Sequence, residues 1–469
     1  MMRATAKPAF VAAGDRAAIA LLALAAVGFL ASAVLGVVAS IVVAWPDRFM
    51  VVDFTRLRPL HTFFALAATA CGFSGLLAAV FATLGLPTRW AAARGWMLLA
   101  FMIGGGIFAA LGYGSGREYV SWSPLLTPLL LLPLLFNALD VFRQHGALGP
   151  RSPEGFWLLA SGAAFVCIGL LESHLWLLPA IGGDTVTDLT VQWQALDLLF
   201  AGNNMLLYGL ALFAIAPAAK PLRSGGLFAL AAVTLLFTFG HHHYISPQPQ
   251  WLKTMAVIAS MLAMVSFLRH ARAYRASATA SSGSATAATV ILAAVERWTL
   301  VSFATGIALA IPYVNLFVHG THVIVAHAMA GMIGVDFLLV IAGGLAMTAG
   351  REVLASERLR LGVRLTDGAL LALWLVLGGA GITKGVLRFT HDHFAYQPIL
   401  QMWLRAFPVV GLVLLIGIGL LCAELLRACR MRLRAYPPVP SQDQAAPPPT
   451  LDGSATAVIA AAVPPPDAA

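Results

Sequence analysis

Long apolar runs alternate with short polar segments along most of the chain, and this alternation predicts membrane-spanning helices. A bilayer core about 30 Å thick needs roughly 20 apolar residues per helix. About twelve such runs occur, near residues 17–44, 58–84, 95–113, 120–142, 156–180, 190–216, 226–245, 250–269, 288–314, 318–348, 366–387 and 404–427. The pattern therefore predicts an all-α, polytopic membrane protein of about twelve transmembrane helices.

The composition excludes a single water-soluble domain. Of the 469 residues, 60% are hydrophobic and only 10% are charged, whereas soluble domains carry about 25% charged residues. The lipid bilayer is therefore a predicted partner. The formal net charge of +9 would suggest nucleic acid in a soluble protein, but here it reflects basic loops on one side of the membrane, and no nucleic acid is expected.

The basic residues are distributed unequally between the two sides. With the N-terminus in the cytoplasm, 21 of the 29 Lys and Arg residues fall on the cytoplasmic side and 8 on the other. Cytoplasmic loops are enriched in Lys and Arg. This distribution predicts a multi-pass protein with both termini in the cytoplasm.

Three regions follow from the same pattern. Residues 1–16 are predicted to form a cytoplasmic arm, residues 17–430 a twelve-helix transmembrane domain, and residues 436–469 a Pro/Ala-rich, disordered cytoplasmic tail. The first apolar run lacks a clear small-residue cleavage site and is interpreted as a retained helix. The chain has no CxxCH sequence, so it attaches no c-type haem covalently.

Histidines indicate the chemistry. Ten of the twelve fall in outer halves of predicted helices or in outer loops, and helices two, seven and ten contribute His61, His241–His243, and His319, His322 and His327. Polar side chains at membrane depth are costly and by default mark function. Imidazole is the common ligand of haem iron, copper and non-haem iron, so the convergence of several histidines at one depth predicts a haem or metal site.

The spacing of these side chains limits what they can bind. His241 and His242 diverge by about 100° on a helix, yet both can turn to one metal near a frayed helix end, with a third ligand from another helix. His327 and Met329 are about 200° apart. That spacing suits a helix held between two cofactors, each taking one axial ligand.

Three motifs carry a family resemblance. RLRPLHT (Arg56 to Thr62), GHHHYISPQPQW (Gly240 to Trp251) and HGTHVIVAHAMAG (His319 to Gly331) resemble the ligand motifs on helices two, seven and ten in the catalytic subunit of the haem-copper oxidase superfamily, especially its nitric oxide reductase branch. The resemblance extends to about residue 430. It implies a twelve-helix bundle like that of cytochrome c oxidase subunit I, in the inner membrane of a bacterium.

The resemblance also implies a role for each histidine. His61 corresponds to an axial ligand of a low-spin haem, and His327 to the proximal ligand of a high-spin haem. His241 and His242 correspond to ligands of a non-haem metal, iron or copper. His243 is as compatible with a loop or propionate contact as with a ligand. The expected contacts to haem propionates are His319, His322 and Arg405.

Two positions depart from the family pattern. Met329 replaces the second histidine of an HxH element; a thioether can be the second axial ligand of the low-spin haem and would raise its potential, and the alternative is that Met329 only packs. Asn203, in AGNNMLLYG, stands where the family has the third metal histidine, and an amide oxygen suits iron better than copper(I). A carboxylate could complete the site instead. Glu172, in GLLESHLW, is the candidate, with proton delivery or an interhelical hydrogen bond as its other possible roles.

Missing residues distinguish the possible reactions. Leu235 stands where oxygen reductases of a related branch have a redox-active tyrosine, and reduction of two NO to N2O and water needs no such donor. The chain is therefore predicted to be a divergent nitric oxide reductase of respiratory denitrification, although Leu207 replaces the family's helix-six glutamate. Oxygen reduction is the second hypothesis, and a haem-bearing sensor or inactive relative the third. Without its own c-type haem, the chain needs a cytochrome c or cupredoxin electron donor on the outer face.

Overall fold

The computed structural model describes residues 9–49, 53–215, 233–281, 287–390 and 397–435. Within these ranges the chain is all-α, as the sequence predicts, and contains no strand. The predicted tail, residues 436–469, lies outside the described residues, as does the first half of the predicted N-terminal arm. Residues 9–16, predicted as arm, belong to the first helix.

The main helices follow the apolar runs and are numbered in chain order. They are α1 (Ala9–Ala44), α2 (Phe54–Leu84), α3 (Ala91–Ala110), α4 (Thr127–Arg143), α5 (Pro153–Glu172), α6 (Thr185–Ala214), α7 (233–243, ending in the 3-10 turn Phe239–His243), α8 (Gln250–Ser281), α9 (Ala287–Ala310), α10 (His322–Thr348), α11 (Glu357–Leu387) and α12 (Phe407–Arg434).

Ten helices among the described residues are long and apolar enough to cross a membrane. The other two predicted spans are α7, described only from residue 233, and α8, whose apolar part is Gln250–Val265. The count of about twelve therefore stays a prediction. Large apolar side chains cover the outside of the bundle, Trp96 and Val409 among them. An outer surface of this kind fits a multi-pass membrane protein, because lipid covers it.

The two faces of the bundle can be told apart by the chain ends. Asp15 of α1 and Arg432 of α12 approach to 3.4 Å, so both helix ends lie at one face, here named the terminal face. The opposite, distal face carries the end of α1 and the start of α2. Helices α2 and α10 run parallel, since a Cβ on Gly72 would lie 2.7 Å from Val340 and one on Gly343 would lie 2.9 Å from Leu76. Therefore α10 also begins at the distal face.

Helices α5 and α6 approach closely along a seam of small residues. Glycines recur every seven residues on α5 and small residues every seven residues on α6. The facing pairs are Gly155 and Gly209, Gly162 and Gly202, and Gly169 and Ala195. A Cβ on Gly162 would lie 2.7 Å from the carbonyl oxygen of Gly202. Small residues at such spacing let the backbones of membrane helices touch, and the seam fixes the depth of α6 relative to α5.

A buried ion pair stabilises the terminal half of the bundle. Arg94 of α3 and Asp140 of α4 are only 1% and 2% exposed and lie 2.5 Å apart. Arg94 also donates to Asn137 Oδ1 at 2.6 Å, and Asn137 donates to Ser74 Oγ at 2.7 Å. Arg94 directly precedes the predicted apolar run 95–113 and is among the basic residues counted on the cytoplasmic side, but it lies inside α3 and is paired there. Removing one partner of such a pair costs about 3–5 kcal/mol.

Candidate functional site

The histidines predicted to be ligands gather in the distal half of the bundle. The rings of His241 and His242 are near enough to His319 and His327 for their charges to interact. The side chains of His61, His241, His242 and His327 are only half-buried, although protein atoms surround each ring. Each side chain therefore keeps accessible surface that a bound group could cover.

The His61 ring is held by α1. Its Nδ1 lies 2.7 Å from the carbonyl oxygen of Ser32, which can only accept, so Nδ1 carries the proton and donates. The Ser32 hydroxyl donates to the carbonyl oxygen of His61 at 3.0 Å. Gly36 lies against the ring, since a Cβ there would be 2.9 Å from Cε1. This tautomer leaves the lone pair on Nε2, the arrangement that a metal-bound histidine requires.

The register of α2 and α10 brings Met329 to the depth of His61. Gly72 of α2 contacts Val340 of α10. His61 precedes Gly72 by eleven residues, and Met329 precedes Val340 by eleven residues. Because the helices are parallel, both lie about 16 Å nearer the distal face than this contact. The π-helical segment Met332–Phe337 in α10 changes this register by about one residue. Thus His61 and Met329 lie at one depth on two helices.

The distal ends of these two helices leave room between them. Helix α2 packs against Leu338–Thr348 and the π segment of α10 but hardly against His322–Gly331. A space with a neutral imidazole on one side and a thioether at equal depth on the other fits a haem with His and Met axial ligands.

His327 projects to the other side of α10. It lies against α9, since a Cβ on Gly306 would be 3.3 Å from its Cε1 and 3.9 Å from its Nε2. Its Nδ1 is buried and has no hydrogen-bond partner at bonding geometry among the described residues. His327 thus lies on the side of the α7 histidines, and Met329, about 200° away on the same helix, is predicted to point to the opposite side.

Two ring contacts hold His241 and His242, the candidate metal ligands, beside Trp193. Trp193 of α6 stacks on His242, with ring centroids 4.0 Å apart and planes at 6°, and the rings of His242 and His241 lie 4.3 Å apart at 35°. The buried Nδ1 of His241 makes no hydrogen bond within the described part of the chain. The short 3-10 turn at the end of α7 therefore does bring the two imidazoles side by side.

The structure does not place Asn203 near His241 and His242. It follows Trp193 by ten residues in the same uninterrupted helix, which is about 15 Å along the axis. Two ligands of one metal lie within roughly 4 Å of each other, given metal–ligand bonds near 2 Å. Over the described ranges, no three His, Cys, Asp or Glu side chains are grouped closely enough to hold a metal. The donor set assembled by the structure is therefore His241 and His242.

Two carboxylates lie near the depth of the pair. Asp197, one turn after Trp193, accepts a hydrogen bond from the Thr238 hydroxyl just before the 3-10 turn. Glu172 follows Gly169, whose Cβ would lie 2.6 Å from the Ala195 carbonyl oxygen, and so it is level with Trp193. Its Oε2 is buried without a partner in the described structure. The sequence singled out Glu172, and the i, i+4 relation of Trp193 and Asp197 would have pointed to Asp197 as well.

Basic groups near the start of α10 come from α11. Arg388 donates to the His319 carbonyl at 3.0 Å, and Lys384 to the Gly320 carbonyl at 3.4 Å. Burial and the Arg388 guanidinium lower the pKa of His319. Buried ring nitrogens of His319 and His322 have no partner among the described residues. The sequence missed Arg388; the side chain of Arg405, predicted as a propionate contact, is exposed.

Comparisons with known proteins agree with this arrangement. A sequence model of the family described as cytochrome c and quinol oxidase polypeptide I matches residues 16–419. Among solved structures, a heme-copper terminal oxidase dimer determined by cryo-EM is similar, with a TM-score of 0.71 and 17% identity over 91% of this chain and 85% of that one. At this identity the structural match establishes the fold. No curated protein matches the sequence.

Proposed function

Because the chain belongs to the cytochrome c and quinol oxidase polypeptide I family, a family of respiratory haem-copper oxidoreductases, we propose that it is a catalytic subunit that reduces nitric oxide. Two NO, two electrons and two protons give N2O and water. Oxygen reduction is the alternative reaction on the same architecture.

The proposal assigns a ligand position to each cofactor. His61 and Met329 would hold a low-spin haem, His327 a high-spin haem, and His241 with His242 a non-haem metal. When bound, these groups supply the electrons and the binding place for the gas. Ser32 fixes the tautomer of His61, and Trp193 fixes the plane of His242. Such outer contacts set the orientation of the ligands.

The directions of two tyrosine hydroxyls support nitric oxide rather than oxygen as the substrate. Tyr244 follows the histidine run but donates to the carbonyl oxygen of Ala310 at 2.7 Å. Tyr208 of α6 bonds Thr299 and follows Trp193 by fifteen residues, about 22 Å along the helix. Neither hydroxyl is directed to the metal pair, and breaking the O–O bond in this superfamily uses a tyrosine there. Reduction of NO needs no such donor.

We also propose a ligand set that differs from the one expected from the sequence. Asp197 rather than Asn203 would supply the oxygen donor, because it lies about one turn from Trp193 and Asn203 does not. In this structure its side chain bonds Thr238 and is not grouped with His241 and His242 as a metal set, so binding a metal would require it to turn toward the pair. An oxygen donor beside two imidazoles favours iron over copper. Glu172 lies at the same depth and is proposed to move protons at the metal site.

Electrons would reach the low-spin haem at the distal face from a cytochrome c or cupredoxin partner. His61 and Met329 lie in the distal half of their helices, and the chain has no CxxCH sequence for a haem c of its own. The N-terminus would lie in the cytoplasm, which makes the distal face the outer face of a bacterial inner membrane.

Turnover of the purified, haem- and metal-loaded protein tests the proposal. With an artificial reductant, NO and O2 are followed by separate electrodes and N2O by mass spectrometry. NO consumption with one N2O formed per two NO, and slow O2 uptake, is the expected result. Rapid reduction of O2 to water would establish the oxygen reductase instead. Neither activity in a haem-loaded sample would identify a sensor or an inactive relative.

A further inference from the structure

The terminal half of the bundle contains a carboxylate that the site does not use. Asp336 lies in the π-helical segment of α10 and is 2% exposed. Its Oδ1 is buried and has no hydrogen-bond partner in the described part of the chain. A buried carboxylate oxygen without a partner is costly, and π-helical segments are frequent at functional sites.

A hydrogen-bonded pair of hydroxyls lies beside this carboxylate. Tyr208 of α6 bonds Thr299 of α9, and Thr299 donates its own proton to the Val295 carbonyl at 2.7 Å. Tyr208 is therefore the donor to Thr299. Asp336 and Glu296 are near enough to act electrostatically on the Tyr208 hydroxyl. The π segment packs against both α6 and α9, so the four side chains form one polar cluster between three helices.

Contacts between α9 and α10 give the depth of each member. A Cβ on Gly334 would lie 2.3 Å from Trp298, and one on Gly306 would lie 3.3 Å from His327. In this antiparallel register Asp336 is level with Glu296. Thr299 lies nearer the distal face than Glu296. His327 is level with Gly306, which follows Thr299 by seven residues of α9, about 10 Å along the helix. The cluster thus lies between the terminal face and the haem-binding histidine.

Helix α6 continues the polar path toward the metal pair. Trp193, Asp197, Ala201, Asn204 and Tyr208 follow one another at spacings of four, four, three and four residues, so they form one stripe along α6. At one end of this stripe Tyr208 bonds Thr299, and at the other Asp197 bonds Thr238 and Trp193 stacks on His242. The stripe connects the cluster to the candidate site.

We propose that protons for the reaction come from the terminal face, with water carrying them to Glu296 and Asp336. Tyr208 and Thr299 then pass them to the α6 stripe, where water bridges the gap at Ala201, and Asp336 is the internal proton-holding group. The inference rests on the proposed reductase function, which consumes two protons per N2O. The carboxyl gives its proton to the cluster and regains one through Glu296 and internal water that connects to the terminal face. Each hydroxyl passes on its own proton and accepts the next, so no net charge stays in the bundle.

The test compares Asp336→Asn and Asp336→Glu with a control, Asp367→Asn. Asp367 binds Arg297 and Trp298 at a similar depth but on the other side of α9. Proteins with wild-type haem content and spectra are reconstituted into vesicles, and proton uptake from each side is followed with pH dyes during turnover. We expect at least a ~10-fold loss of turnover in Asp336→Asn, partial recovery in Asp336→Glu, and none of this in the control.

A second measurement keeps this inference separate from the choice of gas. Infrared difference spectra between oxidised and reduced protein need only the haems, and they report the C=O band of a protonated carboxyl. We expect a band that disappears in Asp336→Asn and shifts in Asp336→Glu. Proton uptake only from the distal face, or a spectrum and turnover unchanged in Asp336→Asn, would overturn the proposed route whichever gas is reduced.

Discussion

Crowding the His61 ring from α1 tests whether this histidine binds a haem. A Cβ on Gly36 would lie 2.9 Å from Cε1 and 3.1 Å from Nδ1 of His61, about 0.5 Å closer than ordinary carbon contacts. The ring must move by about that amount. The bond from Nδ1 to the Ser32 carbonyl, 2.7 Å long, would then lengthen to about 3.2 Å, the limit for a good hydrogen bond.

The expected effect grows with the size of the side chain. Gly36→Ala is expected to keep a low-spin haem with an altered spectrum, and Gly36→Val, with two further methyl groups, to lose the bond to Ser32. Loss of such an orienting contact costs about 10–100-fold in affinity, or about 1.4–2.8 kcal/mol. Haem content and the low-spin electron paramagnetic resonance signal measure this loss.

A matched control separates ligand geometry from general crowding. A Cβ on Gly28, two turns earlier on α1, would lie 2.9 Å from both Ala68 and Met102, which is equal crowding away from His61. Gly28→Ala is therefore expected to leave the low-spin signal unchanged. A full low-spin signal at unchanged potential in Gly36→Val would refute the assignment of His61 as an axial ligand.

Three further changes test other parts of the arrangement. Met329→Leu should abolish the low-spin signal and Met329→His should lower the haem potential in a redox titration, since thioether ligation raises it; an unchanged signal in Met329→Leu would leave Met329 a packing residue. Asp197→Ala should reduce the non-haem metal content measured by elemental analysis while Asn203→Ala leaves it intact, and the reverse order would favour Asn203. Gly162→Ala should cost about 1–3 kcal/mol, seen as a lower melting temperature than for Gly146→Ala, whose Cβ would meet nothing within 4 Å; equal melting temperatures would argue against the close α5–α6 seam.

The sequence predicts the family and the helices because both depend on local patterns. Apolar runs mark the spans, and the His61, His241–His242 and His327 motifs are contiguous stretches. The opposite directions of His327 and Met329 follow from helical geometry alone. The family match over residues 16–419 and the all-α fold confirm the superfamily and the fold class.

Depth along a helix could not be predicted in the same way. Asn203 and Asp197 are both polar residues of α6, and only packing against α7 shows which one is level with the histidines. The pairing of His61 with Met329 likewise depends on contacts between α2 and α10 at Gly72 and Val340. These distances join residues far apart in sequence, and hydrophobic periodicity carries no information about them.

The central claim concerns which gas this histidine cluster reduces, and turnover with each gas tests it most directly. Purified protein with both haems and its non-haem metal is given reductant together with equal NO and O2, and N2O is measured by mass spectrometry. The hydroxyls of Tyr208 and Tyr244 are directed to Thr299 and Ala310 rather than to His241 and His242, which predicts N2O formation with little O2 consumed. Rapid O2 consumption to water without N2O would contradict it.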